Sequence, residues 1–274
     1  MLNISGYHFK PLSNLPVLQE QLRQRGAELH VKGTIILSEE GTNFFLAGPT
    51  EAVDALHGQI EQLLDTPIPV RKSYSDVVPF KKLMVRLRSE LIKMGHPATD
   101  PTKTAAPYVF AEKLKTWLDQ GHDDNGQEII VLDTRNTYET HLGKFEDAQC
   151  VPIEKFTEFP AAVQQLPEDW KKKTVVTYCT GGIRCEKAAL YMQEQGFEHV
   201  YQLHGGILSY FEHCGNEHWT GECFIFDKRM GVNSDLSVSE TVQCHHCRAP
   251  VNIREQADPS YEVGVSCIHC IDKK

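Results

Sequence analysis

The sequence lacks any long apolar segment. No uninterrupted apolar run in its 274 residues approaches the roughly 18 residues that a membrane-spanning helix needs. The first residues, MLNISGYHFKPL, also lack the basic flank and the apolar stretch of a secretory signal. These two absences argue against secretion and membrane insertion, so we expect a cytoplasmic protein.

The sequence also lacks the patterns of several common architectures. It has no G-x-G-x-x-G, so neither a flavin nor a nicotinamide cofactor is predicted. It has no internal repeat and no low-complexity segment. With an ordinary hydrophobic content of 41% over this length, the chain is expected to form two or three globular domains.

Acidic residues outnumber basic ones, 37 to 28, which gives the chain a net charge of −9. Broad nucleic-acid binding is therefore disfavoured, since like charge repels phosphate. One segment departs from this balance: residues 71–93 contain seven Lys or Arg and two acids. The segment is either a solvated face or a phosphate-contacting surface, and in the second case the RNA-binding candidates are Lys81, Lys82, Arg86 and Arg88.

Cysteine is present in an odd number, nine, which does not suit a disulfide framework. Four of the nine form two C-x-x-C pairs separated by nineteen residues: Cys244, Cys247, Cys267 and Cys270. This spacing is typical of a zinc ribbon, in which four thiolates surround a structural zinc and leave no open position. Free reduced thiols or a disulfide relay are the alternatives.

The amino-terminal part, residues 1–93, has the pattern of a ferredoxin-like domain. Strands are predicted at 3–9, 28–37, 42–48 and 83–88, with helices at 14–25 and 50–64 that Asn14 and Thr50 would cap. The order β-α-β-β-α-β is the ferredoxin-like signature. Residues 94–107 contain three prolines and are predicted to be a linker.

Strands and helices alternate in the central part, residues 108–222. This alternation predicts a parallel α/β sheet with helices on both faces. Residues 223–274 differ, because they are polar and rich in Cys and His, and they are predicted to form a small metal-binding tail.

The strand TVVTY runs directly into Cys179, a glycine turn and a helix. The carboxyl end of a parallel strand is where α/β sheets bind ligands, and backbone N–H groups of Thr180, Gly181, Gly182 and Ile183 could surround the sulfur there. Arg184 adds a permanent positive charge. Cys179 is therefore predicted to be an exposed nucleophile with a low pKa, and Arg184 to be its catalytic partner.

Two interpretations stay open beside this loop. Cys185 could be a resolving cysteine that forms a disulfide, or a small packing residue. Asp133 and Arg135, at the end of the preceding strand, could form a structural ion pair or contact the substrate.

Four residues separate Cys179 from Arg184, a loop that resembles the rhodanese family, whereas cysteine-dependent phosphatases have a longer one. The segment VLDTRNTYETHLGKFEDA also resembles rhodaneses. Together with CTGGIRCEKA, LHGGILSYFE, WTGECFIFDKR, EEGTN and the C-x-x-C pairs, it resembles the rhodanese-domain tRNA uridine hydroxylases over nearly the whole chain. The resemblance implies that the enzyme uses molecular oxygen to form 5-hydroxyuridine at the wobble position, with Cys179 as the functional residue and the tRNA anticodon loop as the substrate.

Two other functions remain candidates. Cys179 could carry a persulfide in a sulfurtransferase. Alternatively, a non-enzymatic RNA-binding or redox-sensing scaffold could use the loop only to bind an anion.

Overall fold

The computed structural model describes residues 1–96 and 99–273, and the side chain of residue 273 is not described. The chain divides into two compact units, Met1–Ala105 and Ala106–Lys274, which are described separately. The predicted linker at 94–107 includes residues 97 and 98, which lie outside the described residues. Among the residues described, no helix is both long and apolar enough to cross a membrane.

The first unit is built on one sheet of five strands. Its elements are β1 (Leu2–Phe9), α1 (Leu15–Glu28), β2 (Lys32–Ser38), β3 (Gly41–Gly48), α2 (Thr50–Leu64), β4 (Arg71–Tyr74) and β5 (Leu83–Leu87). The strand order is β4-β1-β3-β2-β5. All neighbours are antiparallel except β2 and β5. Apolar side chains of both helices and of the sheet form a single core.

The ferredoxin-like fold is confirmed, but its fourth strand was predicted at the wrong place. The strand that completes the pattern is β4, which pairs with β1. The predicted strand at 83–88 is β5, an additional edge strand beside β2. β4 is a short edge strand with the polar sequence RKSY, and none of its side chains is fully buried. Its sequence therefore lacks the apolar alternation by which a strand is recognised.

Asn14 occupies the N-cap position of α1 as predicted, although its side chain does not cap the helix, and the predicted cap Thr50 is wrong. Asn14 precedes α1 in the left-handed conformation, with φ 54°, and its side chain makes no capping hydrogen bond. The cap position of α2 is Pro49, so Thr50 is already the first helical residue. Thr50 is therefore not at the position from which a capping side chain accepts the N–H of the second or third helical residue.

The second unit contains the remaining elements. They are β6 (Tyr108–Val109), α3 (Ala111–Gln120), β7 (Ile129–Asp133), α4 (Thr137–Thr140), β8 (Gly143–Phe145), β9 (Gln149–Cys150), α5 (Phe159–Val163), β10 (Thr174–Tyr178), α6 (Ile183–Glu194), β11 (His199–Leu203), α7 (Gly206–Cys214), β12 (Trp219–Gly221), β13 (Cys223–Phe224), β14 (Gly231–Val232), β15 (Val242–Gln243), β16 (Pro250–Val251) and α8 (Ile253–Gln256). Short 3₁₀ turns lie at Phe156–Glu158, Glu168–Lys172 and Ile271–Lys273.

A parallel sheet with the order β6-β11-β10-β7-β9 is the centre of this unit. The middle strand β10, TVVTY, is buried along its whole length, as its run of β-branched residues predicts. Tyr178 lies opposite Asp133, so β10 and β7 end at the same edge of the sheet. Cys179 follows Tyr178 directly, and the register therefore fixes its place at that edge.

Candidate active site

The Cys179 loop, residues 179–184, closes around the sulfur of its first residue. The backbone N–H of Gly182 donates to Cys179 Sγ at 3.1 Å. The side chain was predicted to be exposed, which is wrong, because only 1% of Cys179 is accessible to solvent. The start of α7 packs on the loop: Ile207 N donates to Cys179 O at 3.0 Å, and Leu208 N donates to Thr180 O at 3.2 Å.

Two glycines allow this close packing: Gly182, which the sequence also indicated, and Gly206, which it did not. Gly182 has φ 99° at the N-cap of α6, whereas Gly181 has no positive φ and a Cβ there would meet nothing within 4 Å. A Cβ on Gly206, in α7, would lie 2.3 Å from Cys179 O and 2.7 Å from Thr180 O. Gly206 is therefore required where α7 contacts the loop.

The loop stabilises a thiolate at Cys179. Burial alone would raise the pKa of the Cys179 thiol. A hydrogen bond from the Cys185 thiol, the charge of Arg184 and the backbone N–H groups of Arg184 and Gly182 together lower this pKa to about 6. Each of these groups stabilises the anion more than the neutral thiol. At neutral pH the sulfur is therefore predominantly ionised.

Cys185 lies behind the loop as a buried, free thiol. Burial and the adjoining Cys179 raise its pKa well above the ordinary value. Its sulfur also lies 3.8 Å from the hydroxyl of Thr134. In this arrangement Cys185 is a neutral hydrogen-bond donor, and its predicted role as a resolving cysteine stays a prediction.

Arg184 is held by a residue that the sequence did not reveal. Its guanidinium donates two hydrogen bonds to the carboxylate of Glu139, both at 2.6 Å, and Glu139 is completely buried. The pattern Asn136-x-x-Glu139 is a sequence signal for a helix capping box, which the structure contains. That signal explains one contact of Glu139 with the backbone and gives no indication of its pairing with Arg184.

Asp133 and Arg135 form a second buried ion pair. Arg135 donates to both carboxylate oxygens of Asp133 and, at 2.7 Å, to the carbonyl oxygen of Gly143. Both charged side chains have no solvent exposure. The guanidinium also packs on the rings of Tyr178 and Trp219. These contacts give Arg135 a structural role at the base of the site.

An exposed aromatic ring lies beside the Cys179 loop. The ring centroid of Phe226 is 5.7 Å from the guanidinium carbon of Arg184, and 46% of Phe226 is exposed. The ring of Phe224 packs against the ring of Phe226 in an edge-to-face arrangement, with the centroids 5.1 Å apart. A large exposed apolar ring at a buried charged loop is suited to stack on a flat ligand.

In the first unit, the basic segment 71–93 does not form one surface. Its two strands, β4 and β5, lie at opposite edges of the sheet. Arg86 and Arg88 are exposed at the β5 edge. Lys81 and Lys82 line an open cleft of about 360 Å³ at the same edge, whose other basic residues are Arg23, His30 and Lys32.

The four cysteines of the tail converge on one point. Their Sγ atoms all lie within 4.8 Å of one another, with separations of 3.6 Å between Cys247 and Cys267, 3.8 Å between Cys267 and Cys270, and 4.0 Å between Cys244 and Cys270. Zinc bonds to sulfur of about 2.3 Å place tetrahedral sulfurs about 3.8 Å apart. The cluster could therefore bind a metal ion.

Comparisons with known proteins agree with these two units. Residues 1–91 match the family model described as UPF0176 acylphosphatase like domain, and residues 111–213 match the Rhodanese-like domain. Among curated proteins, the chain is similar to the "tRNA uridine(34) hydroxylase" of Cupriavidus pinatubonensis, with 45% identity over 100% of this chain and 97% of that protein. Proteins with the same name from Cupriavidus necator (47% identity, 100% and 98% covered) and Ralstonia nicotianae (46% identity, 99% and 97% covered) are similar to it as well.

Proposed function

Because the chain belongs to the tRNA uridine(34) hydroxylase family, we propose that it hydroxylates the uridine at position 34 of tRNA to 5-hydroxyuridine. Position 34 is the wobble position of the anticodon loop. Similarity to these hydroxylases over the full length of the chain supports the proposal, and the lowered pKa of the Cys179 thiol agrees with it. A tRNA substrate also suits the predicted cytoplasmic location.

Cys179 is the proposed nucleophile, and Arg184 the residue that orders its loop. A thiolate can add to C6 of a pyrimidine ring, which raises the electron density at C5, the carbon that is hydroxylated. A persulfide carried by Cys179 is the alternative nucleophile. The backbone of Thr180, Gly181 and Ile183 would surround the reacting group.

The substrate base is proposed to stack on Phe226. A base in an anticodon loop has no pairing partner, so turning it into a protein site costs little. Phe226 is exposed beside Arg184, where it offers a stacking face within reach of the Cys179 loop. Aromatic stacking is a common way in which proteins bind single-stranded RNA.

The other parts of the chain have proposed supporting roles. Residues 1–93 would hold the RNA through Lys81, Lys82, Arg86 and Arg88, and residues 94–107 would link them to the catalytic domain at 108–222. Residues 223–274 would hold a structural zinc through Cys244, Cys247, Cys267 and Cys270. Zinc there supplies folding energy, since four sulfurs leave no site for substrate.

Molecular oxygen is the proposed co-substrate. One oxygen atom enters the base, and reduction of the other to water requires two electrons and two protons from a separate reductant. A living cell supplies that reductant.

The test is therefore made in a bacterial strain whose own hydroxylase gene is deleted and which expresses this chain under ¹⁸O₂. Mass spectrometry of tRNA nucleosides should find 5-hydroxyuridine with ¹⁸O; product with unlabelled oxygen would overturn the oxygen assignment, and no product would overturn the function.

A sulfurtransferase is the second candidate, favoured by the four-residue rhodanese-like loop between Cys179 and Arg184. In that reaction Cys179 would accept a sulfur atom and pass it to a thiophilic acceptor. Transfer of sulfur from thiosulfate to cyanide by the purified protein, without 5-hydroxyuridine in the complemented strain, would favour this candidate. Neither activity, with RNA binding retained, would favour a scaffold.

A further inference from the structure

A second group of metal-binding side chains lies beside the cysteine cluster. His141 follows α4, Glu255 lies in α8, and His269 lies between Cys267 and Cys270. One ligand atom from each of the three lies within 4.8 Å of the other two. We propose that His141, Glu255 and His269 bind a second divalent transition-metal ion, which fastens the cysteine-rich tail to α4.

The geometry of the three side chains supports a common ligand. His141 Nε2 and His269 Nε2 both face the same oxygen, Oε1 of Glu255; the first is hydrogen-bonded to it and the second is 3.5 Å away. The two imidazole rings are 4.9 Å apart and nearly perpendicular. Ligand atoms bonded to one transition metal at about 2.0 to 2.2 Å lie roughly 3 to 3.5 Å apart. The side chain of His141 is 42% exposed, so it has room to adjust to a bound ion.

Glu255 is oriented for the role by its own helix. Its Oε2 accepts a hydrogen bond from the backbone N–H of Asn252 at 2.9 Å, and the side chain of Asn252 accepts from the N–H of Glu255 at 3.0 Å. This capping box fixes one carboxylate oxygen and turns the other towards the histidines. Such support from a neighbouring group is characteristic of metal-binding carboxylates.

The ligand set indicates the class of metal. Two imidazole nitrogens and one carboxylate oxygen suit Zn²⁺, Fe²⁺, Co²⁺ or Ni²⁺ better than Mg²⁺ or Ca²⁺, which prefer oxygen alone. Three protein ligands leave further positions for water, in contrast to the closed set of four sulfurs.

This site would connect the tail to the Cys179 loop through one short helix. The four-residue helix α4 contains Glu139, whose carboxylate holds Arg184, and ends beside His141. An ion bound by His141, Glu255 and His269 would therefore fix the end of the helix that positions the catalytic arginine. The proposal does not depend on the reaction that Cys179 performs.

The test is a metal titration of the untagged, full-length protein with its cysteine cluster already filled with zinc. Co²⁺ is added at micromolar concentration, and bound cobalt is measured by equilibrium dialysis and by its visible spectrum. Cobalt bound by nitrogen and oxygen lacks the intense sulfur-to-cobalt absorption, so exchange into the cysteine cluster would be recognised. The variants are His141→Ala and Glu255→Gln, and the second of these keeps a capping-box residue.

Wild type should bind one Co²⁺ per chain beyond the zinc of the cysteine cluster. Both variants should weaken this binding at least about tenfold. His246→Ala is the matched control, because His246 is an exposed histidine of the other C-x-x-C pair, and it should bind as wild type does. No cobalt beyond the cysteine cluster in wild type, or equal affinity in His141→Ala, would overturn the proposal.

Discussion

Among single residues, the charges of the Cys179 loop are buried and balanced. Cys179 is ionised although it is almost inaccessible, because one thiol, one guanidinium and two backbone N–H groups face its sulfur. The guanidinium is itself held by a fully buried carboxylate, that of Glu139. Removing only one partner of such a pair typically costs about 3 to 5 kcal/mol, because the other charge stays buried alone.

The pH dependence of Cys179 follows from this balance. The rate of its alkylation by iodoacetamide, measured by peptide mass spectrometry, should be constant above about pH 7 and should fall as pH drops through 6, where the thiolate is protonated. The double variant Glu139→Gln with Arg184→Gln removes both charges and keeps two neutral hydrogen-bonding groups. Its inflection should rise by about one to three pH units.

The same samples contain an internal reference, because burial and Cys179 raise the pKa of Cys185. Cys185 should remain unalkylated where Cys179 reacts. An unchanged inflection at Cys179 in the double variant would show that Arg184 does not stabilise the thiolate.

Gly206 gives a second prediction at this scale. Gly206→Ala should impair loop closure, because its Cβ would lie 2.3 Å from Cys179 O in a conformation with φ 64°. We expect lower thermal stability and loss of Cys179 reactivity. Gly181→Ala is the matched control within the loop, since it has open space and no positive φ. Equal behaviour of the two variants would refute the close approach of α7.

At the scale of elements, the order of strands decides which charges act together. The strand order β4-β1-β3-β2-β5 puts β4 and β5 at opposite edges, although they are neighbours in sequence. The proposed RNA surface is therefore only the β5 edge with its cleft, where Lys81 and Lys82 lie near Lys32.

This division gives a matched pair of variants with equal changes of charge. Lys81→Glu with Lys82→Glu should weaken tRNA binding, and each lost phosphate contact should reduce the slope of log K against log salt by about 0.7 to 0.9. Arg71→Glu with Lys72→Glu, at the β4 edge, should leave the slope nearly unchanged. Titrations at several salt concentrations measure both. Equal losses in the two variants would assign the effect to net charge rather than to this surface.

The tail is an element whose stability should depend on its metal. Cys267→Ser should release zinc and unfold the tail, because binding energy at such clusters is largely folding energy. Metal analysis and proteolysis of the tail measure the effect. His245→Ala, an exposed neighbour in the other C-x-x-C pair, should retain the metal. Wild-type protein that is purified without chelator and contains no zinc would contradict the assignment.

For the molecule as a whole, the sequence predicted motifs formed by neighbouring residues but missed contacts between residues that are far apart in the chain. The position of Cys179 followed from a strand, a glycine turn and a helix, all within sixteen residues, 174–189. The partner of Arg184 did not, because Glu139 is 45 residues away and no local pattern links the two residues. The burial of Cys179 also depends on α7, whose contact with the loop no local pattern predicts.

The same distinction explains the errors in the first unit. The helices and the first three strands have apolar periodicity and were all predicted, although α1 ends three residues later and β2 begins four residues later than predicted. β4 has none, since it is a short polar edge strand, and it was identified only by its pairing with β1. The similarity to known hydroxylases supplied the reaction, for which the spacing of residues gave no signal.

If Cys179 performs the reaction, hydroxylation of the wobble uridine requires it. The most direct measurement is the amount of 5-hydroxyuridine in tRNA from a strain without its own hydroxylase gene that expresses wild type, Cys179→Ala or the control Cys214→Ala at equal protein levels. Wild type and Cys214→Ala should restore the nucleoside, and Cys179→Ala should leave it undetectable although the protein is folded and binds tRNA. A normal amount of 5-hydroxyuridine with Cys179→Ala would show that Cys179 is not required for the reaction.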